Sequence, residues 1–239
     1  MLKLQEDRTV AKADARPLVS INGTAWNQHP RFLEYAAWLT GKLAPQDNGE
    51  EQNERFEHSL GVCEAAIELA QGFGLCTNDI EKAMIAGILH DAAKLMTPAL
   101  LLAYAEDYGL ALEAADLASP QTLHPFIGAE MVKSELGITD EAILNTIRYH
   151  TTGRSGMSPL EKIVYVADKS ERRTRNPHYV ASMTQDLDFT RPKSLDETAL
   201  RMIDTTLSGL IEKRLPIHPR TLEARNDLIL SLKDVSETF

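Results

Sequence analysis

Four of the seven histidines in this 239-residue chain stand in one ordered series with two aspartates: His58, the adjacent pair His90-Asp91, His124, His150 and Asp168. Imidazole nitrogen and carboxylate oxygen are side-chain donors that hold divalent transition metals. A metal shared by residues scattered from position 58 to position 168 requires a fold that brings several distant segments back to one point. The same requirement argues against a domain boundary inside that range.

Only histidine and acidic side chains are available for such a site. The two cysteines, Cys63 and Cys76, form no CxxC pair, so a thiolate site and a disulfide framework are set aside. Each reads as a small buried apolar residue. The apolar fraction of 43% is ample for a core. A formal charge of −10 disfavours a broad basic surface for nucleic acid, yet a metal and a few local cations can reverse the field inside one cleft. No apolar run approaches a membrane span, and the first thirty residues lack the apolar stretch of a secretory signal. The expectation is a soluble cytoplasmic protein with no nucleic-acid or membrane partner.

The chain reads as helix after helix, an all-α fold without convincing alternating strands. Residues 1–28 read as a poorly ordered extension, and 29–239 as one helical domain on which C-terminal helices within 195–239 pack. A helix follows His29-Pro30, and Pro45–Gly49 reads as a loop. The next helix spans about Asn53 to Ala70, with His58, Val62, Ala65 and Leu69 on one inward face. Asn78 or Asp79 caps a third helix, one face of which carries Ala83, Gly87, His90 and Lys94. Thr97-Pro98 opens another and Ser119-Pro120 ends that stretch. His124-Pro125 leads a helix that stops at Gly137. Asp140 caps the helix carrying Ile143, Ile147 and His150, which Thr151-Thr152-Gly153 breaks. Ser158-Pro159-Leu160-Glu161 is a capping box before a stripe of Val164, Asp168, Glu171 and Arg175. Ser194 and Glu197 repeat the pattern for a helix reaching Arg214, and a last helix starts near Thr221.

Adjacent residues on a helix project about 100° apart. His90 and Asp91 therefore reach one ion only if it lies beside the helix near its end. An aspartate inside the apolar run Gly87–Leu89 would be costly to bury unpaired. Asp168, after Tyr165-Val166-Ala167, has the same kind of setting. A shared cation explains both. His29, His178 and His218 lack such context and read as structural or exposed.

These residues resemble the HD superfamily of metal-dependent phosphohydrolases, an all-helical fold whose motif H…HD…D matches His58, His90-Asp91 and Asp168. The added pair His124 and His150 is similar to its binuclear branch. The runs Arg55–Val62, Ala86–Lys94, Leu123-His124, His150–Gly153 and Ala167–Glu171 resemble the YqeK type, bacterial symmetrical diadenosine tetraphosphate hydrolases, over about residues 30–232. The stretch Lys169–Arg173 departs from that type's commoner continuation, and the extension before residue 29 is longer. The HHExxDGxGYP signature of cyclic dinucleotide phosphodiesterases is absent.

The resemblance implies a di-iron centre (Mn, Co, Ni or Zn being alternatives) that cuts diadenosine tetraphosphate into two ADP through a metal-bound hydroxide. It implies that His58, His90, Asp91 and Asp168 hold one ion, and that Asp91 bridges to a second held by His124 and His150. Asp91 and Lys94 become the catalytic candidates. Lys94, Thr151, Gly153, Glu171 and Arg175 become the substrate-side candidates. Two further readings remain open: another HD phosphohydrolase acting on deoxynucleotides, nucleoside monophosphates or guanosine tetraphosphate, and a non-catalytic metal-stabilised module. The last two amphipathic helices offer a homodimer contact.

Overall fold

The structure, a computed structural model, describes residues 20–43 and 49–234. Among them it contains eleven α-helices and one two-stranded hairpin. The helices are α1 Pro30–Leu43, α2 Gly49–Gly72, α3 Thr77–Leu89, α4 Pro98–Asp107, α5 Ala114–Ala118 and α6 His124–Leu136. They continue with α7 Glu141–Tyr149, α8 Pro159–Ser170, α9 Pro177–Met183, α10 Lys193–Glu212 and α11 Pro219–Asp234.

The centre of the fold is α3, which packs against α1, α2, α7 and α8. Its run Ala83–Leu89 is apolar all round and wholly buried. Each large side chain in it contributes about 1.5–3 kcal/mol of transfer free energy. Gly87 lets α2 come close: a β-carbon there would lie 2.8 Å from the Cys63 α-carbon. α10 packs on α8, and α11 on α10.

Several boundaries follow local chemistry. The Thr97 side chain accepts from Leu100 N at 3.3 Å, and that of Asp140 from Ala142 N at 2.8 Å. Ser158 and Glu161 form the expected capping box. Gly137 ends α6 at φ +65°, a conformation that glycine adopts without steric cost.

Other boundaries differ from the sequence reading. Residues 20–28 are not a loose extension. Asn22 (φ 52°) and Gly23 (φ 78°) turn a hairpin between β1 Ser20–Ile21 and β2 Thr24–Ala25, as Asn-Gly favours. Ile21 and Trp26 are each 2% exposed, and the Trp26 ring meets Phe32 edge-on at 4.8 Å. Residues 1–19, 44–48 and 235–239 lie outside the described residues, which removes Pro45–Asn48 of the expected loop, while Gly49 opens α2. The N-cap of α3 is Cys76, which is exposed rather than buried and whose thiol points to Asp79 Oδ2 at 3.2 Å. Ser194 does not cap α10. It sits inside the helix, where its hydroxyl donates to Asp188 O at 2.7 Å and accepts from Asp188 N at 3.0 Å, tying down the preceding loop.

Candidate metal centre

Helix ends build this site. His90 and His150 follow the last residues of α3 and α7, His124 opens α6, and Asp168 lies in the last turn of α8; His58 alone is mid-helix, on α2. All four histidines and Asp91 are buried.

Three rings are oriented in the same way. Nδ1 of His90 donates to Gly87 O at 2.8 Å, Nδ1 of His124 to Gln121 O at 2.5 Å, and Nδ1 of His150 to Ile147 O at 2.8 Å. Each carbonyl lies three residues upstream, in the last turn of α3 or α7 or in the tight turn before α6. A carbonyl can only accept, so Nδ1 carries the hydrogen and Nε2 keeps its lone pair.

Those lone pairs converge on Asp91, whose two oxygens serve different neighbours. Oδ1 lies 3.0 Å from His124 Nε2 and 3.3 Å from His150 Nε2. Oδ2 lies 3.5 Å from His90 Nε2 and 3.9 Å from His58 Nε2. Asp168 Oδ1 completes the second group, 3.1 Å from His58 Nε2 and 3.8 Å from His90 Nε2. His124 Nε2 and His150 Nε2 are 3.3 Å apart. In this tautomer Nε2 of His90, His124 and His150 is an acceptor, like the carboxylate oxygens it faces, and His90 Nε2 and Asp91 Oδ1 are buried without a hydrogen-bond partner. Two buried acceptors facing each other's neighbours without a donor are costly in a protein interior, and a cation removes the cost. Two sets have ligand atoms within 4.8 Å of one another: His58, His90 and Asp168, and His90, Asp91 and His150. An N/O donor set without thiolate fits Fe, Mn, Co, Ni or Zn.

The titration behaviour points the same way. Burial would raise both aspartates, but the charge of His90 and Nε2–H donation from His124, His150 and His90, which the rings supply only when protonated, lower Asp91 well below the usual carboxylate range. Lys169 and His58 do the same for Asp168. Burial lowers His150 to about 4, and burial with the Lys94 charge lowers His124, so both rings are neutral donors at pH 7. His58 differs. Burial opposes its charge, but hydrogen bonds to Asp168 and Glu171 raise it to about 9. The negative charge that raises His58 is charge that a metal would neutralise.

The substrate-side candidates divide. Lys94 Nζ is 3.4 Å from His124 Nε2 and 3.8 Å from Asp91 Oδ1. It arrives from the turn after α3 rather than from a helix face, because i→i+3 bonds such as Lys94 N to Asp91 O (2.9 Å) tighten the chain past Leu89. Thr151 Oγ1 reaches His150 Nε2 at 3.0 Å. Arg175 donates from Nη2 and Nε to the Asp168 carbonyl at 2.9 and 3.2 Å, with Nη2 3.4 Å from Asp168 Oδ1. Gly153 is at φ +66°, and a β-carbon there would lie 3.0 Å from Ala224 Cβ and 3.3 Å from Met157 Sδ, so the turn and its packing account for the glycine.

Glu171 departs furthest from the helical stripe. α8 stops at Ser170 and Glu171 is extended (φ −61°, ψ 153°). Its carboxylate, wholly buried, turns back to Nδ1 of His58 at 3.2 Å and accepts from Arg173 N at 2.6 Å, Thr174 N and the Thr174 hydroxyl. It supports the His58 ring and offers no surface to a substrate. Gly61 makes room for it, since any β-carbon there would collide with Glu171 Oε2.

Two cations went unnoticed as site residues in the sequence. Arg55 Nη1 lies 3.8 Å from Asp91 Oδ2. One turn before His58 on α2, it was detectable from i, i+3 spacing. Lys169, whose ammonium lies 3.2 Å from Asp168 Oδ2, carried no such signal. Of the remaining histidines, His178 is exposed, His29 lies 4.0 Å from Glu81, and His218 is buried 3.4 Å from Asp116.

A family profile described as HD domain matches residues 55–173, a span that contains all six clustered residues. A protein of Halalkalibacterium halodurans named bis(5'-nucleosyl)-tetraphosphatase, symmetrical, is 35% identical over 75% of this chain and 91% of its own length. The chain belongs to the HD-domain family. A Bacillus subtilis protein of the same name is 35% identical to this HD-domain chain over 73% of it and 89% of the relative. A crystal structure from Clostridium acetobutylicum, described as a predicted HD superfamily hydrolase involved in NAD metabolism, superposes with a TM-score of 0.73. It is 34% identical and is matched over 84% of this chain and 97% of its own. Among the described residues of the HD-domain protein, no helix is long and apolar enough to cross a membrane.

Proposed function

We propose that this HD-domain protein is a cytoplasmic hydrolase that cleaves diadenosine tetraphosphate at its centre. Water adds to one of the two inner phosphorus atoms, the bridging oxygen leaves with the other half, and two ADP result. The division of Asp91 between two histidine groups carries the reading, because a carboxylate so placed would serve two cations at once. His58, His90, Asp91 and Asp168 would hold one divalent ion, and Asp91, His124 and His150 the other, with iron the first choice by family resemblance. Bound ions there supply positive charge against phosphate oxygens and lower the pKa of water.

The protein's own cations do the rest. Lys94, Arg55 and Arg175 stand at the cluster with side chains 29%, 35% and 39% exposed, open enough to meet a ligand. They come from the turn after α3, from α2 and from the segment after α8, and together set a local positive field in a chain of charge −10. A polyphosphate placed against Asp91 lies within reach of Lys94 as a point charge and of the two guanidinium forks. Thr151 adds a hydroxyl on the His124–His150 side.

The test is a product panel with the metal-loaded protein. ADP release from diadenosine tetraphosphate is expected to exceed phosphate release from nucleoside monophosphates and from guanosine tetraphosphate. Arg175→Ala is expected to lower kcat/KM by about 10- to 100-fold, the value of a charge-assisted hydrogen bond. Equal rates on all substrates would replace the assignment with a general nucleotide phosphohydrolase.

A further inference from the structure

Lys169 is a cation at the centre whose ammonium is directed inward. Its side chain is only 12% exposed. Nζ donates to the carbonyl of His150 at 3.2 Å and to Asp168 Oδ2 at 3.2 Å, and it lies 3.6 Å from the centroid of the Tyr165 ring. Neighbouring residues on a helix do not normally face one another, whereas residues four apart do. The path is therefore set by Tyr165, one turn back and wholly buried. The lysine stem folds over that ring, and the ammonium is delivered beside Asp168. An ammonium has three donors and no acceptor; a carboxylate, a carbonyl and an aromatic face occupy it.

Its partners belong to opposite halves of the cluster. Asp168 offers Oδ1 to His58 and His90, and Lys169 takes the other oxygen. His150 faces Asp91 Oδ1 beside His124, and Lys169 holds the backbone of its turn.

On the reading above, we propose that Lys169 is a positioning residue that couples the two halves of the metal centre: it keeps Asp168 single-toothed toward His58 and His90 while anchoring the turn that carries His150. It does not touch substrate. Arg175 bonds the backbone oxygen of Asp168, with Nη2 3.4 Å from Oδ1, so Asp168 meets two cations, of which Lys169 is the buried one. Groups that hold a ligand's free atom set its direction, and their loss costs about 10- to 100-fold in metal affinity or activity.

Lys169→Met, Lys169→Gln and Lys169→Arg would be compared with the wild type. Each chelator-stripped protein is titrated with Mn2+ in a calorimeter, and each reloaded protein is assayed on diadenosine tetraphosphate, with circular dichroism reporting folding. Lys169→Met should bind Mn2+ about tenfold or more weakly and lose about tenfold in kcat with metal saturating, as outer ligand supports do, while KM stays within about twofold. Lys169→Arg keeps the charge and should recover part of the metal affinity. If the Met variant does not fold, Lys169→Gln decides by the same measurements. Unchanged Mn2+ affinity with a loss confined to KM would make Lys169 a substrate ligand and overturn the proposal. Unchanged values throughout would make it a bystander. If the wild type does not cleave the tetraphosphate, the substrate assignment fails by itself, and the Mn2+ titrations still judge Lys169.

Discussion

Asp91 concentrates the centre in one side chain, since its oxygens are divided between two groups of imidazoles. Asp91→Ala should reduce hydrolysis by about a thousandfold or more, roughly 4 kcal/mol of barrier. It should also lower bound metal per chain while helix content persists; full activity in that variant would remove Asp91 from the chemistry. Glu171 gives a pH prediction. Desolvation opposes its charge, but hydrogen bonds from His58, Thr174 and Arg173 hold its carboxyl at about 2 against an ordinary 4.5. A depressed carboxyl stabilises the fold fully above 4.5, and the contribution fades as the pH falls toward 2. In metal-free protein, the melting-temperature advantage of wild type over Glu171→Gln should thus be constant between pH 5 and 6.5, shrink between pH 4.5 and the acid limit, and shrink again as His58 loses its proton between pH 6.5 and about 9. A difference that stays flat to pH 3 would contradict the burial-and-bond account of this carboxylate.

At the scale of elements, the α2–α3 contact sets where His58 stands relative to His90. Gly87→Ala places a β-carbon 2.8 Å from the Cys63 α-carbon, which is backbone and cannot swing aside. Overpacking of this kind costs about 1–3 kcal/mol, and Tm should fall by roughly 2–4 °C for each. Gly41→Ala on α1 has open space around the new methyl, so the gain in helix propensity of about 1 kcal/mol should leave Tm unchanged or higher. Thermal melts of the pair check the sign. The elements also explain which boundaries the sequence revealed. Thr97, Asp140, Ser158 and Gly137 act through bonds within a few residues, so their chemistry is readable locally. Ser194 has the same residue type but is occupied by Asp188, a loop contact that competes with capping and has no local signature.

For the whole molecule, metal and fold are linked. The candidate ligand atoms come from α2, α6, α8 and the ends of α3 and α7, so a pair of ions bound there would together join five helices. A ligand that binds only the native state stabilises it by about 2.7 kcal/mol at one hundred times its dissociation constant. Chelation should therefore lower Tm by several degrees and abolish hydrolysis, and Mn2+ or Fe2+ should restore both; an unchanged Tm would separate the cluster from the fold's stability.

Residue types and short spacings were enough to establish the candidate ligand types, their order, the all-helical class and the need for convergence, because imidazole and carboxylate chemistry and helical periodicity are local properties. Tertiary structure alone decided how the Asp91 oxygens are shared, that Glu171 leaves α8 to hold His58, that Lys169 faces inward, and that Ile21 and Trp26 belong to the core. Those outcomes depend on which surfaces meet after the helices pack. Packing is a competition among distant segments, and no local pattern encodes its result.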